Sequence, residues 1–240
     1  MSKLATTHDS LYQGRCTLEQ PAKAYRFGTD AMLLAASIHA KPREKVLELG
    51  CGVGAVLLAG HVRLPKTRFV GIEREAKYAE LAQKNVERNK AGELVSIIKG
   101  DIADKALFKN LGSFDHVIAN PPYYETGRHS GALGLLRRVA RQHEPDDLEM
   151  WLQSANRFLK PKGSVIFIHS AEKLDELMVG LKKFCGAIRV FPFWPQEGQS
   201  CKRIIIHALK GSKTPLSIMP GIVMHQHNGA YTKRADEIVN

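Results

Sequence analysis

The stretch Val46-Leu47-Glu48-Leu49-Gly50-Cys51-Gly52-Val53-Gly54 joins a short apolar run to a loop with glycine at alternate positions. The run predicts a buried strand over residues 46–49, and residues 55–62 predict the helix that follows it. Bare glycine backbone lets a ligand approach closely at such a turn. The stretch therefore predicts the first unit of an α/β fold that binds a nucleoside-bearing cofactor. Because Gly50, Gly52 and Ala55 also match the dinucleotide fingerprint, the loop alone leaves NAD open.

Strand and helix patterns alternate on both sides of this stretch. Apolar runs predict strands at residues 68–73, 94–99, 116–119 and 164–170, separated by helical patterns at 75–90 and 145–159 and followed by one at 174–184. Such alternation is typical of a doubly wound α/β fold with a mostly parallel, seven-stranded, Rossmann-like sheet. A further helix is expected over residues 31–40, capped by Thr29 or Asp30.

The C-terminal third departs from the alternation. Strand patterns at residues 189–193, 203–209 and 216–224 have no helical pattern between them, which predicts a C-terminal antiparallel hairpin at one edge of the sheet. A terminal hairpin of this kind is typical of class I methyltransferases and unusual in a dehydrogenase. We expect one domain over residues 1–240, with residues 1–45 as an N-terminal lid or cap and 46–240 as the catalytic core.

Acidic residues stand at the ends of the predicted strands. Glu73 closes the second strand, about twenty residues after the glycine loop, where a carboxylate can accept hydrogen bonds from ribose hydroxyls. Asp101 follows the third strand, in reach of an adenine amino group. Ligands of open α/β sheets bind outside the carboxyl ends of strands. The alternative is that Glu48 and Asp101 only cap helices.

A second motif, Asn120-Pro121-Pro122-Tyr123, follows the apolar run at residues 116–119. An adenine amino group or a glutamine amide is a poor nucleophile because its lone pair is delocalised. The Asn120 side-chain oxygen and the Pro121 carbonyl can hold both N–H bonds out of that plane, so that the lone pair points at an activated methyl group. The prolines make the turn rigid, and Tyr123 can stack on a planar target. Together with the glycine loop, this motif predicts methyl transfer to an amino or amide nitrogen.

The charge of the chain favours a polyanionic partner. The formal net charge is +11, and Arg128, Arg137, Arg138 and Arg141 lie in a stretch without acidic residues. We therefore expect these arginines to bind nucleic acid. The N-terminus lacks the apolar centre of a signal peptide and no run is long enough to span a bilayer, so we expect a cytoplasmic protein. The four cysteines show no CxxC spacing, and no metal site is expected.

Four stretches resemble the N6-adenine branch of the S-adenosylmethionine-dependent class I methyltransferases, and more narrowly the bacterial enzymes that modify a valine tRNA beside its anticodon. They are residues 26–34 (Arg-Phe-Gly-Thr-Asp-Ala-Met-Leu-Leu), 48–54, 120–124 (Asn-Pro-Pro-Tyr-Tyr) and 229–232 (Gly-Ala-Tyr-Thr). The glycine loop and the NPPY motif mark the superfamily, whereas the Gly-Thr-Asp segment and the second tyrosine are narrower.

The resemblance implies a role for each residue that matches it. S-adenosyl-L-methionine would be held by Glu48, Gly50, Gly52 and Gly54 at its methionine end, by Glu73 at its ribose and by Asp101 at its adenine, with Asp30 lining the pocket. Asn120 would contact both cofactor and target base, and Tyr123 would hold the base. The implied substrate is an adenine in a tRNA anticodon loop, where bases are already partly unpaired. Three alternatives stay open: methylation of a protein glutamine amide, methylation of DNA adenine, and a non-catalytic RNA-binding module that retains the fold.

Overall fold

A computed structural model describes residues 5–22, 28–122 and 148–239. Its strands are β1 (Thr6–Leu11), β2 (Cys16–Pro21), β3 (Lys45–Leu49), β4 (Arg68–Glu73), β5 (Val95–Lys99), β6 (Phe114–Ala119), β7 (Leu159–Ser170), β8 (Cys185–Trp194), β9 (Arg203–Lys210), β10 (Ser217–Ile218) and β11 (Ile222–Val223). The α-helices in these ranges are α1 (Thr29–Ala36), α2 (Ala55–Arg63), α3 (Ala76–Arg88), α4 (Lys105–Leu111), α5 (Leu148–Phe158), α6 (Leu174–Lys182) and α7 (Lys233–Val239).

The central sheet has the strand order β10-β8-β9-β7-β6-β3-β4-β5. Strands β5, β4, β3, β6 and β7 run parallel, whereas β9 is antiparallel to both β7 and β8. Seven long strands, mostly parallel and closed by an antiparallel β8–β9 hairpin, confirm the predicted fold class.

One predicted strand is wrong. The run at residues 216–224 is not continuous but forms two strands of two residues, β10 and β11, which both pair parallel with β8. The reason is Pro220-Gly221 in the middle of the run: proline has no N–H to give to a ladder, and the pair favours a turn.

Helices cover both faces of the sheet, as the doubly wound prediction requires. One apolar cluster joins α1, α2 and α3 to residues such as Val46 and Ile118, while a second cluster packs α5 and α6 against Leu47 and Leu49. Successive residues of a strand point to opposite faces, so β3 is buried on both sides. Its carboxyl end therefore emerges between two packed layers, which holds the glycine loop in place.

The segment before the sheet differs in detail from the prediction. Helix α1 covers Thr29–Ala36 rather than 31–40, and Gly28 is the N-cap without a side-chain hydrogen bond. The helix ends at Ser37, whose hydroxyl donates 2.7 Å to the Leu34 carbonyl and so competes with the backbone ladder. Strands β1 and β2 form a separate antiparallel hairpin, and neither this hairpin nor helices α4 and α7 was expected.

None of the helices in the described ranges has the length and apolar character that a membrane-crossing helix needs.

Candidate active site

The predicted motifs meet at one end of the sheet. Leu49 is paired with Ala119 and with Ile72, so Gly50 and Asn120 each follow the last residue of neighbouring strands. Neighbouring strands lie about 5 Å apart, and the glycine loop and the Asn-Pro-Pro turn are therefore side by side. Glu73 ends β4, on the other side of the loop.

A crevice of about 990 Å³ opens beside this turn. It lies between α1, the Asn-Pro-Pro turn, the start of α5 and the ends of β7, β8 and β9. Its described lining includes Thr29, Asp30, Leu33, Pro121, Pro122, Leu148, Trp151, His169, Phe193, Lys202, Arg203 and His225.

The glycine loop has the backbone that only glycine adopts without strain. The φ angles of Gly50, Gly52 and Gly54 are +64°, +54° and +82°, all in the left-handed region. Gly54 is the N-cap of α2. A Cβ at Gly52 would meet no described atom within 4 Å, whereas a Cβ at Gly50 would lie 2.5 Å from the Trp151 ring. The loop is thus open at Gly52 and covered by an indole at Gly50.

Glu73, at the end of the neighbouring strand, stabilises the glycine loop through its carboxylate. The Gly52 N–H donates 2.8 Å to Glu73 Oε2, and the Glu75 N–H donates 2.9 Å to Oε1. A carboxylate oxygen has a second lone pair, so each can still accept a bond from a ribose hydroxyl. Glu73 therefore shapes the loop as well as standing where a ribose would lie.

Glu48 is a carboxyl group buried beneath the loop. It is 2% exposed, and its Oε2 finds no hydrogen-bond partner among the described residues. Burial, and then the charge of Glu73, raise the pKa of Glu48 well above its ordinary value of 4.5. An unpartnered buried carboxyl oxygen is costly, and a positively charged group placed beside it would offset that cost.

Asp101 holds a turn at the end of β5, because its Oδ1 accepts 2.8 Å from the Ala103 N–H. This bond closes a local turn and does not cap a helix, because the N-cap of α4 is Asp104. The capping alternative is therefore wrong for Asp101, and its role in binding adenine stays a prediction. Asp30 lies in the first turn of α1 and lines the crevice. Its Oδ2 accepts 3.0 Å from Arg203 Nε at the start of β9.

Part of the predicted site lies outside the described residues. Tyr123 and the arginines Arg128, Arg137, Arg138 and Arg141 fall in the gap between residues 122 and 148. The structure brings together Asp30, Pro121 and Pro122 in the crevice, and Gly50, Gly52, Glu73 and Asn120 at the neighbouring strand ends. Across residues 5–22, 28–122 and 148–239, no three His, Cys, Asp or Glu side chains cluster as metal ligands would.

Most of the described lining was not predicted, and His169, Trp151 and Arg203 are the polar or aromatic side chains of interest there. His169 lies near the carboxyl end of β7, and the general position of ligands in open sheets was a usable signal for it. Its Nδ1 accepts 2.8 Å from the Ser170 N–H, and burial lowers its pKa to about 4, so the ring is neutral near pH 7. Trp151 and Arg203 had no comparable signal, because their positions depend on how α5 and β9 pack.

The glycine loop, the acidic residue at the next strand and the C-terminal hairpin occur together in one fold, and residues 24–191 match the family model of the methyltransferase small domain. The chain belongs to the methyltransferase small domain family. It is an enzyme that uses S-adenosyl-L-methionine. The open backbone at Gly52 fits a nucleoside cofactor, and the Glu48 oxygen that has no partner among the described residues fits its positive charge.

Curated relatives carry a more specific name. A tRNA1(Val) (adenine(37)-N6)-methyltransferase of Actinobacillus succinogenes is 28% identical over 191 residues, which is 79% of this chain and 79% of the relative. A protein of the same name from Haemophilus influenzae is 26% identical over 223 residues, 92% of each chain. The methyltransferase chain described here thus aligns with these relatives over most of their length.

Solved structures agree on the fold. A predicted O-methyltransferase from Agrobacterium tumefaciens superposes with a TM-score of 0.72 at 25% identity, covering 88% of this methyltransferase and 95% of that chain. TYW2 of P. horikoshii, solved in complex with MeSAdo, has a TM-score of 0.57 at 12% identity over 88% of this chain and 74% of its own. At that identity the second likeness concerns the fold alone.

Proposed function

We propose that this methyltransferase transfers the methyl group of S-adenosylmethionine to the exocyclic N6 of an adenine in tRNA, in the anticodon loop. The observation that carries the proposal is the position of Asn120-Pro121-Pro122, directly after β6 and beside the glycine loop, with both prolines lining the crevice. The names of the curated relatives support an adenine of tRNA as the target.

In this proposal the Asn120 side-chain oxygen and the Pro121 carbonyl accept the two N–H bonds of the target amine. Pro122 keeps the turn rigid, because its ring restricts φ and it has no N–H to donate. Tyr123 stacks on the base. When bound, S-adenosylmethionine would supply the methyl group from its sulfonium, which would become a neutral thioether. Asn120 and Pro121 would hold the nitrogen lone pair in line with that methyl group, so that orientation contributes to catalysis. The nitrogen becomes acidic only as it attacks, so its proton can pass to water and a strong base is not needed.

The same proposal assigns the cofactor contacts. The backbone of Gly50, Gly52 and Gly54 and the carboxyl of Glu48 hold the methionine end, whose charge satisfies the buried Glu48 oxygen. Glu73 accepts from the ribose, Asp101 from the adenine, and Asp30 and Asn120 complete the wall between cofactor and base.

Substrate binding is assigned to the basic stretch. Arg128, Arg137, Arg138 and Arg141 contact backbone phosphates on either side of the extruded adenine, and such contacts make affinity fall steeply with salt. We further propose that residues 1–240 act as one domain, with residues 1–45 capping the core, and that the enzyme works in the cytoplasm on cellular tRNA.

The test is transfer of tritium from methyl-labelled S-adenosylmethionine into separate pools of total tRNA, total protein and DNA. We expect label in tRNA, recovered after digestion as N6-methyladenosine. Label recovered in glutamine would favour the amide-methylating alternative. Label in none of the pools, with cofactor binding intact, would favour a non-catalytic RNA-binding module.

A further inference from the structure

Asn85 in α3 and Asn89, the C-cap of that helix, bind the backbone of the N-terminal hairpin. The Glu19 N–H donates 2.8 Å to Asn85 Oδ1, and Asn85 Nδ2 donates 2.9 Å back to the Glu19 carbonyl. One turn later, the Thr17 N–H donates 2.9 Å to Asn89 Oδ1, and Asn89 Nδ2 donates 2.7 Å to the Thr17 carbonyl. Each side-chain amide thus supplies the donor and the acceptor that a neighbouring strand would give to the free edge of β2.

Only one of these two side chains also forms a hydrogen bond with the glycine loop. Asn85 Nδ2 donates a second bond, 3.0 Å, to the carbonyl of Val53, which lies between Gly52 and Gly54. The second bond of Asn89 Nδ2 goes to the carbonyl of Asn85 in its own helix. Asn85 is fully buried, with 0% exposure, so its bonds form away from water, and both hydrogens of its amide are used.

The bond from Asn85 to Val53 is one of three contacts that hold the glycine loop in place. Ala82, one turn before Asn85 on α3, lies 3.5 Å from where a Cβ of Gly54 would be. From the sheet side, Glu73 accepts the Gly52 N–H. Without Asn85 the Val53 carbonyl would lose this partner in a buried position, since Val53 is 8% exposed. Leaving such an acceptor unsatisfied favours a different loop conformation.

We propose that Asn85 is a positioning residue for S-adenosylmethionine, and that through it the N-terminal hairpin stabilises the glycine loop in its binding conformation. Three glycines in five residues give the loop large conformational freedom, which a ligand must otherwise restrict on binding. Because the Asn85 amide holds the Val53 carbonyl before any ligand binds, part of this conformational entropy is already lost in the free protein. The hairpin contributes none of the described residues that line the crevice, and Asn85 is the side chain that joins its backbone to the glycine loop.

The test compares Asn85→Ala with Asn89→Ala by calorimetric titration with S-adenosylmethionine and with S-adenosylhomocysteine, without RNA. Each variant removes one of the two amide contacts between the hairpin and the helix, and we expect both to lower the melting temperature. Only Asn85→Ala loses the bond to the loop, and we expect its Kd for either ligand to rise about tenfold, the equivalent of one buried hydrogen bond. Asn89→Ala stays within about twofold of the wild type.

Should Asn85→Ala fail to fold, Asn85→Gln keeps the amide but moves it by one methylene, and it is compared with Asn89→Gln in the same way. An unchanged Kd for the Asn85 variant overturns the proposal. So does an equal rise for both variants, because the hairpin and not the bond to Val53 would then be responsible. These measurements need no methyl acceptor, so their outcome is separate from that of the tRNA assay.

Discussion

The Thr29 side-chain hydroxyl lies 3.0 Å from the hydroxyl of Tyr231, two residues that are 202 positions apart in the chain. Thr29 begins α1 at the rim of the crevice, and Tyr231 lies just before α7. The bond joins two of the four stretches that carry the family resemblance, the Gly-Thr-Asp segment and the Gly-Ala-Tyr-Thr tail. Tyr231 also stacks on His225, with ring centroids 4.7 Å apart, so it links the C-terminal tail to the crevice.

Replacing Tyr231 by phenylalanine removes the hydroxyl and keeps the stacking on His225. We expect the free energy of unfolding to fall by about 1 kcal/mol, the usual net contribution of a hydrogen bond. Urea unfolding of Tyr231→Phe, Thr29→Val and the double variant measures it. Because both single variants break the same bond, the double variant should lose little more than either alone. Fully additive losses would contradict a direct bond.

Asn120→Ala tests the proposed chemistry. The variant loses the side-chain oxygen that holds the target amine, and we expect kcat to fall by about 10²- to 10³-fold, as for one lost oxyanion-hole donor. Binding of S-adenosylmethionine should remain within about threefold, because the loop is intact. Asn110→Ala, on the exposed side of α4, is the matched control and should keep normal turnover. Near-normal turnover of Asn120→Ala would show that Asn120 has no role in the reaction.

Glu48→Gln separates stability from cofactor binding. The pKa of Glu48 is raised in the folded protein, mainly by burial, so the wild type is stabilised by its proton at low pH and loses that stability as pH rises above the ordinary value of 4.5. Glutamine resembles the protonated form at every pH. We therefore expect Glu48→Gln to match the wild type near pH 4 and to unfold at higher temperature at pH 7 to 8.

The same variant should bind S-adenosylmethionine more weakly, because glutamine cannot carry the negative charge that the ligand's positive charge would satisfy. A more stable protein with a weaker site is the expected combination at a functional position. Melting temperatures across this pH range and calorimetric titration measure the two effects. Glu80→Gln, an exposed residue of α3, serves as the control. Equal melting temperatures of Glu48→Gln and wild type at pH 8 would show that the burial of Glu48 has no energetic consequence.

Gly50→Ala and Gly52→Ala form a matched pair. Both positions have positive φ, which costs an alanine about 1 to 2 kcal/mol. At Gly50 the new Cβ would also lie 2.5 Å from the Trp151 ring, whereas at Gly52 it meets no described atom within 4 Å. We expect the Gly50 variant to be the less stable of the two. Adding Trp151→Leu to each variant should reduce the difference between their free energies of unfolding, measured in urea. An unchanged difference would show that the indole does not cover Gly50.

Much of the core fold could be predicted from the sequence, because its signals are local. The glycines at 50, 52 and 54 and the apolar run before them specify a strand, a turn and a helix without reference to the rest of the chain. Some local signals were present and not used. Asp104 caps α4 by accepting 2.8 Å from the Ala106 N–H, and Gly112 ends that helix. Aspartate and glycine are the residue types expected at the two ends of a short helix.

The amino-acid sequence by itself determined the alternation of strands and helices, the carboxyl ends at which ligands bind, and the Asn-Pro-Pro turn beside the glycine loop. Tertiary structure alone decided that Arg203 pairs with Asp30, that Trp151 covers Gly50, and that Asn85 joins the hairpin to Val53. Periodicity and turn chemistry act over a few residues, whereas these contacts join elements that are distant in the chain. Their partners are chosen by how helices and strands pack, and no short stretch of sequence contains that information.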